Sequence, residues 1–263
     1  MLKLIGKHKK EYGLGIMGAV VSAVLYIFLR YVIAPIIKLI WVGKIEGIEN
    51  IPARGPVIIA SNHGSYLDFI CFWAIAPRSV QYLAAEVFYK SKFWRPIMIA
   101  TGQIKVERDN QDKTKVLEQA HYILRNEGML GIFPEGTRTR TGELGKAYTG
   151  VVKFALKAKA PIVPVGMIGA YRAWPPHKKL PRLRKVHIKI DKPIYHHDHY
   201  DKEHTEDILR WLTDDLMAVI AGLIGQEYKH HNKYLADSKE QKEKIIEGRI
   251  IKKKHEDQKI SKN

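Results

Sequence analysis

After Gly43 the chain is punctuated by six short apolar or β-branched runs, at 57–60, 80–83, 103–107, 129–133, 161–167 and 185–190. Each has the length of a strand, and several are separated by segments whose apolar positions recur at helical spacing. That spacing is clearest over 112–126 (DKTKVLEQAHYILRN) and 146–158, and it predicts a long amphipathic helix over 205–226. Strands alternating with helices predict an α/β fold: a largely parallel central sheet flanked by helices. In such sheets ligands bind outside the carboxyl ends of the strands, so the residues that follow each run are the first place to look for chemistry.

The pattern before residue 43 is different. A basic start (MLKLIGKHKKEYG) leads into LGIMGAVVSAVLYIFL, residues 14–29, which carries no charge; Arg30, Pro35 and Lys38 follow within a second apolar stretch. The apolar region is long, no small-residue cleavage site is evident and no cysteine framework follows, so a cleaved signal peptide is not expected. A bilayer span needs about 20 apolar residues, and an arginine at its centre costs roughly 2.5–3.5 kcal/mol. Two arrangements satisfy both limits: one tilted span ending near Arg30, or a pair of helices broken around 30–35 and dipping into one leaflet. The expected organisation is therefore an N-terminal hydrophobic membrane-anchoring helical segment (1–43), an α/β domain (44–226) and a charged tail (227–263). The tail mixes Lys with Glu and Asp and reads as a solvated helix or a disordered appendage, with a basic excess that favours anionic headgroups.

Charge narrows the choice of partners. The 263 residues carry a formal net charge of +17, so an anionic partner is expected: a phosphorylated substrate, an anionic lipid surface or nucleic acid. Zinc spacing, a recognition-helix pattern and aromatic RNA-binding motifs are missing, which argues against nucleic acid. The single cysteine, Cys71, excludes a disulfide within the chain and suits a reducing compartment. HHDHYDKEH, with His196, His197, Asp198, His199 and His204, has no regular ligand spacing, and no bound metal is expected.

Two polar turns follow apolar runs. SNHGSYLDF (61–69) sets His63 five residues before Asp68. On one continuous helix positions i and i+5 diverge, so the two side chains meet only if His63 lies in the turn and Asp68 one turn inside a helix over 65–76, with Ser65 as its N-cap. A lone histidine at a strand end is commonly structural; a neutral imidazole held by a carboxylate is also a general base. Backbone N–H groups near the 62–65 turn are candidates to stabilise an oxyanion, though sequence does not place them. FPEGTRTR (133–140) is the second turn, where Gly136 permits close backbone approach and Arg138 offers a planar fork for phosphate. Between them TGQIKVERD supplies Lys105 and Arg108, and three cations, Lys105, Arg108 and Arg138, could converge on one anion.

Asn62-His63-x4-Asp68, Gly102-x5-Arg108, Phe133-Pro134-Glu135-Gly136-Thr137-Arg138 and Pro161-Ile162-Val163-Pro164-Val165 resemble, in order and spacing, the four blocks of the glycerolipid acyltransferases, and most of all the bacterial 1-acyl-sn-glycerol-3-phosphate acyltransferases. The likeness covers roughly residues 45–195, with Lys105 where the second block usually has an aromatic. It implies transfer of a fatty acyl group from acyl-CoA or acyl-carrier protein to the sn-2 hydroxyl of lysophosphatidic acid, giving phosphatidic acid with no further cofactor. By the same resemblance His63 and Asp68 are catalytic, and Lys105, Arg108, Glu135, Gly136, Thr137 and Arg138 bind substrate. The expected location is the cell membrane, with the catalytic domain on the cytoplasmic side. Two stretches that interleave Trp or Tyr with Lys and Arg, 88–96 and 171–185, suit the headgroup level. Another lysophospholipid or glycerol 3-phosphate as acceptor stays open, as does a non-catalytic basic protein that binds membrane or nucleic acid.

Overall fold

The computed structural model describes residues 15–107 and 114–230. Among them seven strands form one sheet in the order β1-β7-β6-β2-β5-β3-β4. The strands are β1 Val42–Glu46, β2 Val57–Ser61, β3 Val80–Ala85, β4 Ile104–Val106, β5 Met129–Ile132, β6 Ile162–Ile168 and β7 Val186–Ile190. Five of them, from β6 to β4, pair in parallel, with β2 at the centre between β5 and β6. The parallel expectation fails only at one edge, where β7 is antiparallel to β6 and β1 follows β7. The sequence gives little sign of β1: VGKIE is short, half-exposed and interrupted by Lys44 and Glu46.

The helices are α1 Ile16–Phe28, α2 Ala34–Trp41, α3 Leu67–Ile75, α4 Val87–Lys90, α5 Trp94–Ala100, α6 Thr114–Arg125, α7 Gly150–Ala158, α8 Ala170–Ala173 and α9 Glu206–Ile224. Alternate residues of β2 feed two cores. Ile58 and Ala60 pack with α6, α7 and α9 on one face, and Val57 and Ile59 pack with α2 and α3 on the other. Burial on both faces is why the central strands read as continuous apolar runs rather than alternating ones. At the ends of α9, Thr205 Oγ1 accepts the Ile208 N–H and Gly225 adopts φ +69. Helix α7 starts at Gly150, four residues later than predicted from 146, because the backbone before it is committed elsewhere. Ala147 N–H donates to the Tyr228 hydroxyl and Tyr148 N–H to the Pro134 carbonyl.

The N-terminal segment is neither broken nor finished at Arg30. It is one 26-residue helix, Ile16–Trp41, long and apolar enough to cross a membrane, with a π-helical turn at Leu29–Ile33. Ala34 N–H reaches back to the Leu29 carbonyl, and this wide turn lets Pro35 follow without a break. Arg30 is drawn inward: its guanidinium donates to the Trp73 carbonyl at 3.0 Å and the Ala76 carbonyl at 2.6 Å, satisfying the last turn of α3. Ala34 and Ile37 are buried against the core, while an apolar stripe stays exposed from Ile16 (77%) to Leu39 (78%). The helix Ile16–Trp41 and the sheet fall within one compact unit that ends at Tyr228. Most of the charged tail, 231–263, lies outside the described residues.

Candidate active site

Because β2 and β5 are neighbours in parallel, the two polar turns leave the sheet side by side. Beyond the last strand residue, the Asn62 side chain continues the pairing with β6. Its amide donates to the Met167 carbonyl at 3.1 Å and its oxygen accepts the Met167 N–H at 2.7 Å. Asp68, fully buried, turns back over the loop, and its Oδ2 accepts from His63 Nδ1 at 2.9 Å, Gly64 N–H at 2.8 Å and Ser65 N–H at 2.7 Å. A carboxylate can only accept, so it assigns the proton to Nδ1 and leaves the lone pair on Nε2. The expected meeting of His63 and Asp68 across a turn is present. The helix begins at Leu67, two residues after the expected start at Ser65. Ser65 still caps: its Oγ accepts the Leu67 N–H at 3.0 Å and donates to the Trp174 carbonyl at 2.8 Å. That second bond directs the hydroxyl away from a nucleophile's role.

The second turn holds the first. Glu135 Oε1 accepts the His63 N–H and its Oε2 the Gly145 N–H, both at 2.8 Å, while Thr139 N–H donates to the His63 carbonyl at 2.8 Å. Both backbone polar groups of His63 are thus fixed by residues 135–139. Burial pushes the Glu135 carboxyl up to about 7; the two N–H donors oppose the shift and the charge of Asp68 adds to it. Glu135 was expected among the substrate-binding residues; both of its carboxylate oxygens accept backbone N–H groups, one of them that of His63. Phe133 stacks on the His63 ring (centroids 3.8 Å, 11° between planes), and Tyr82 stacks on Phe133 (5.3 Å, 13°). Sequence reading missed this stack. Its one signal was the aromatic beginning the Phe-Pro-Glu-Gly-Thr-Arg block. The same bonds correct the oxyanion expectation: the N–H groups of His63, Gly64 and Ser65 all donate to carboxylates and none is left for substrate.

Gly136 sits at φ +67 with the Tyr148 ring 2.9 Å from where a Cβ would stand, so glycine alone fits the turn. Gly136 and Thr137 are exposed beside His63. The Arg138 guanidinium lies 3.7 Å above the Tyr66 ring, and its Nη1 is buried with no hydrogen-bond partner among the described residues. Lys105 is not with it. Its ammonium pairs with Glu107 at 2.7 Å and Glu86 at 3.5 Å, and the hydrogen bond to Glu107 raises its pKa. Lys105, expected to converge on an anion with Arg108 and Arg138, turns to these carboxylates instead. Arg108 lies outside the described residues.

His63 and Arg138 stand on the wall of a groove of about 1460 Å³. The rest of the wall is mainly apolar: Leu25, Phe28 and Ile33 from the N-terminal helix, Phe69 and Trp73 from α3, and Phe88, Trp94 and Ile97 from the α4–α5 hairpin. That hairpin was expected at headgroup level; Phe93 is 68% exposed there, but Phe88 and Trp94 pack edge to face and line the groove. At the far end of the molecule's sequence the His196–His204 stretch gathers imidazoles, with His199 and His204 ring centroids 5.4 Å apart. Burial first, then neighbouring His199 for His196, and His204 and Lys202 for His199, hold both below the ordinary histidine value. Among the described residues no group of three side chains is arranged to hold a metal.

Residues 43–168 match the acyltransferase family model. The chain is 31% identical over 153 residues to a 1-acyl-sn-glycerol-3-phosphate acyltransferase of Cocos nucifera, covering 57% of this chain and 49% of that protein. It is 28% identical over 156 residues to the 1-acyl-sn-glycerol-3-phosphate acyltransferase of Bacillus subtilis, covering 59% and 75%. It spans about half the length, or somewhat less, of the Cocos nucifera, Brassica napus and Arabidopsis thaliana relatives. Its fold is that of the 1-acyl-sn-glycerophosphate (LPA) acyltransferase PlsC from Thermotoga maritima (TM-score 0.56, 21% identity, 74% of this chain and 81% of that one). The segment that matches the family model takes in both polar turns and the strands that carry them.

Proposed function

We propose that the protein transfers a fatty acyl group from a thioester, acyl-CoA or acyl-carrier protein, to the sn-2 hydroxyl of lysophosphatidic acid, forming phosphatidic acid. One observation carries this reading: the His63–Asp68 pair stands at 2.9 Å on the wall of an apolar groove, beside an arginine with a buried, unpartnered Nη1. Base, anion site and acyl-sized apolar space are what the reaction needs in one place.

In this mechanism His63 Nε2 takes the proton of the acceptor hydroxyl as its oxygen attacks the thioester carbonyl carbon. The C–S bond breaks as the tetrahedral intermediate collapses, and the imidazolium returns the proton to the departing thiolate. Asp68 fixes the tautomer and stabilises the imidazolium, the division of labour of a His–carboxylate pair. Phe133, face to face with the ring, holds its plane. The substrate hydroxyl is the nucleophile, so no acyl-enzyme forms. Arg138 takes the phosphate, to which its buried Nη1 can donate, and the family resemblance assigns Arg108 to the same group. Gly136 and Thr137 border the acceptor. The acyl chain lies along the groove between the N-terminal helix and α4–α5. The exposed stripe of that helix keeps the protein on the membrane that supplies the acceptor and receives the product, with the catalytic domain on the cytoplasmic side.

The test is acyl transfer by protein in vesicles. Lysophosphatidic acid, lysophosphatidylcholine and glycerol 3-phosphate are offered as acceptors, each with acyl-CoA and acyl-carrier protein as donors, beside the His63→Ala variant. Phosphatidic acid formed from lysophosphatidic acid, and lost with His63, is the expected result. Turnover that survives His63→Ala would remove the mechanism, and product from another acceptor alone would move the substrate assignment.

A further inference from the structure

The connection from α8 to β7 is unlike the other surface loops. Between Gly169 and Ile190 stand seven Lys or Arg residues and no Asp or Glu. Within it Leu180 is 79% exposed and Leu183 is 83% exposed, on a segment with neither helix nor strand. Single exposed leucines are ordinary; two within four residues, set among Lys178, Lys179, Arg182 and Arg184, are not. Among the described residues none of these cations forms an ion pair.

The loop is nonetheless held firmly at its neck. Arg182 N–H donates to the Ala173 carbonyl at 2.8 Å, closing the loop, and Trp174 Nε1 donates to the Lys178 carbonyl at 2.9 Å. The neck is tied to the end of the N-terminal helix, with Trp41 Nε1 donating to the Arg182 carbonyl at 3.1 Å and Lys185 Nζ to the Leu39 carbonyl at 2.5 Å. Leu39 is the last residue of the exposed apolar stripe, so loop and stripe are continuous. On its other side the neck touches the catalytic turn: the Trp174 carbonyl accepts from Ser65 Oγ, and its ring lies 5.2 Å from that of Tyr66.

We propose that residues 174–185 are a second foot on the bilayer, in which Leu180 and Leu183 enter an anionic leaflet and Lys178, Lys179 and Arg184 take its phosphate headgroups. This deepens the proposed function and rests on its placing the protein at a membrane. An acidic partner protein would answer the cations but leaves unexplained why two leucines stand out beyond them; a leaflet answers both, with apolar tips below the headgroups and cations level with them. Seating the loop also fixes the height of the turn that carries His63 relative to the lipid.

The test uses the full chain with Leu183→Cys, labelled with an environment-sensitive fluorophore. Cys71 is buried and its thiol is pushed up to about 12, so the new thiol is the reactive one. The labelled protein is reconstituted into vesicles of phosphatidylcholine alone or mixed with phosphatidylglycerol. In mixed vesicles the emission is expected to shift to the blue and to be quenched by a lipid nitroxide high in the acyl chain. Each cation contributes roughly fivefold to loop seating, so Lys178→Glu, Lys179→Glu and Arg184→Glu together weaken it by on the order of 100-fold at low salt. Emission that stays water-like in anionic vesicles overturns the proposal. So does a shift that appears only on adding acyl-carrier protein. Because nothing in the readout requires turnover, a label that enters the leaflet in a protein making no phosphatidic acid upholds the loop and rejects the reaction; the converse result does the reverse.

Discussion

Two stretches of this chain set histidine near aspartate, and both follow strand ends. Around His63, one carboxylate oxygen gathers an imidazole N–H and two backbone N–H groups, a second carboxylate fixes the backbone, and an aromatic ring fixes the plane. Around His199 the rings lean on one another, and Nε2 of both His196 and His204 is buried with no hydrogen-bond partner among the described residues. The first arrangement orients a proton acceptor toward open space; the second crowds imidazoles so that each disfavours the charge of the next. Histidine density is a poor guide to chemistry, and what separates the two turns is which acceptor holds the ring.

The sharpest way to break that contrast is to spoil the acceptor alone. Asp68→Asn keeps the shape but presents an amide that favours the wrong tautomer of His63, and kcat is expected to fall by roughly 10³–10⁴ in the acyl-transfer assay. A loss below tenfold would show that Asp68 is only a structural cap. Next in size is the brace. The Glu135 carboxyl titrates at about 7 in the folded protein against 4.5 in the unfolded chain, so ionising it costs stability. Wild type is then fully stable only below the unfolded value and loses on the order of 3 kcal/mol as pH rises through the folded one. Glu135→Gln has no such titration, so its melting temperature should gain on wild type between pH 4 and pH 8; parallel curves would mean that the carboxyl is not held in a buried site. Arg138→Gln removes a charge-assisted contact worth about 1.5–3 kcal/mol, which raises KM for lysophosphatidic acid by roughly 10- to 100-fold and leaves a glycerol-ester acceptor without phosphate unaffected. The smallest effect is expected in the other turn, where His199→Gln and His204→Gln should change turnover by less than about twofold, as for surface substitutions.

Much of this was legible before any coordinates. Strand runs buried on both faces and polar turns after them are local signals, and from them follow β2, β5 and the meeting of His63 with Asp68. What failed depended on partners far away in sequence. Lys105 was expected to meet an anion beside Arg138, but Glu86 and Glu107 hold it. Pro35 looked like a helix break, yet a π turn absorbs it. Glu135 and the turn's N–H groups were assigned to substrate because sequence shows which polar groups exist, not which of them already answer one another.

Arg30 gives the N-terminal helix a meaning beyond attachment. It grips the carbonyl end of α3, the helix whose first turn carries Asp68, and neighbouring residues Leu25, Phe28 and Ile33 form one side of the groove. Trimming the hydrophobic N-terminus to obtain a soluble form would therefore uncap the helix that steadies the base and open the acyl site to water. The part that looks like a tether is half of the vessel.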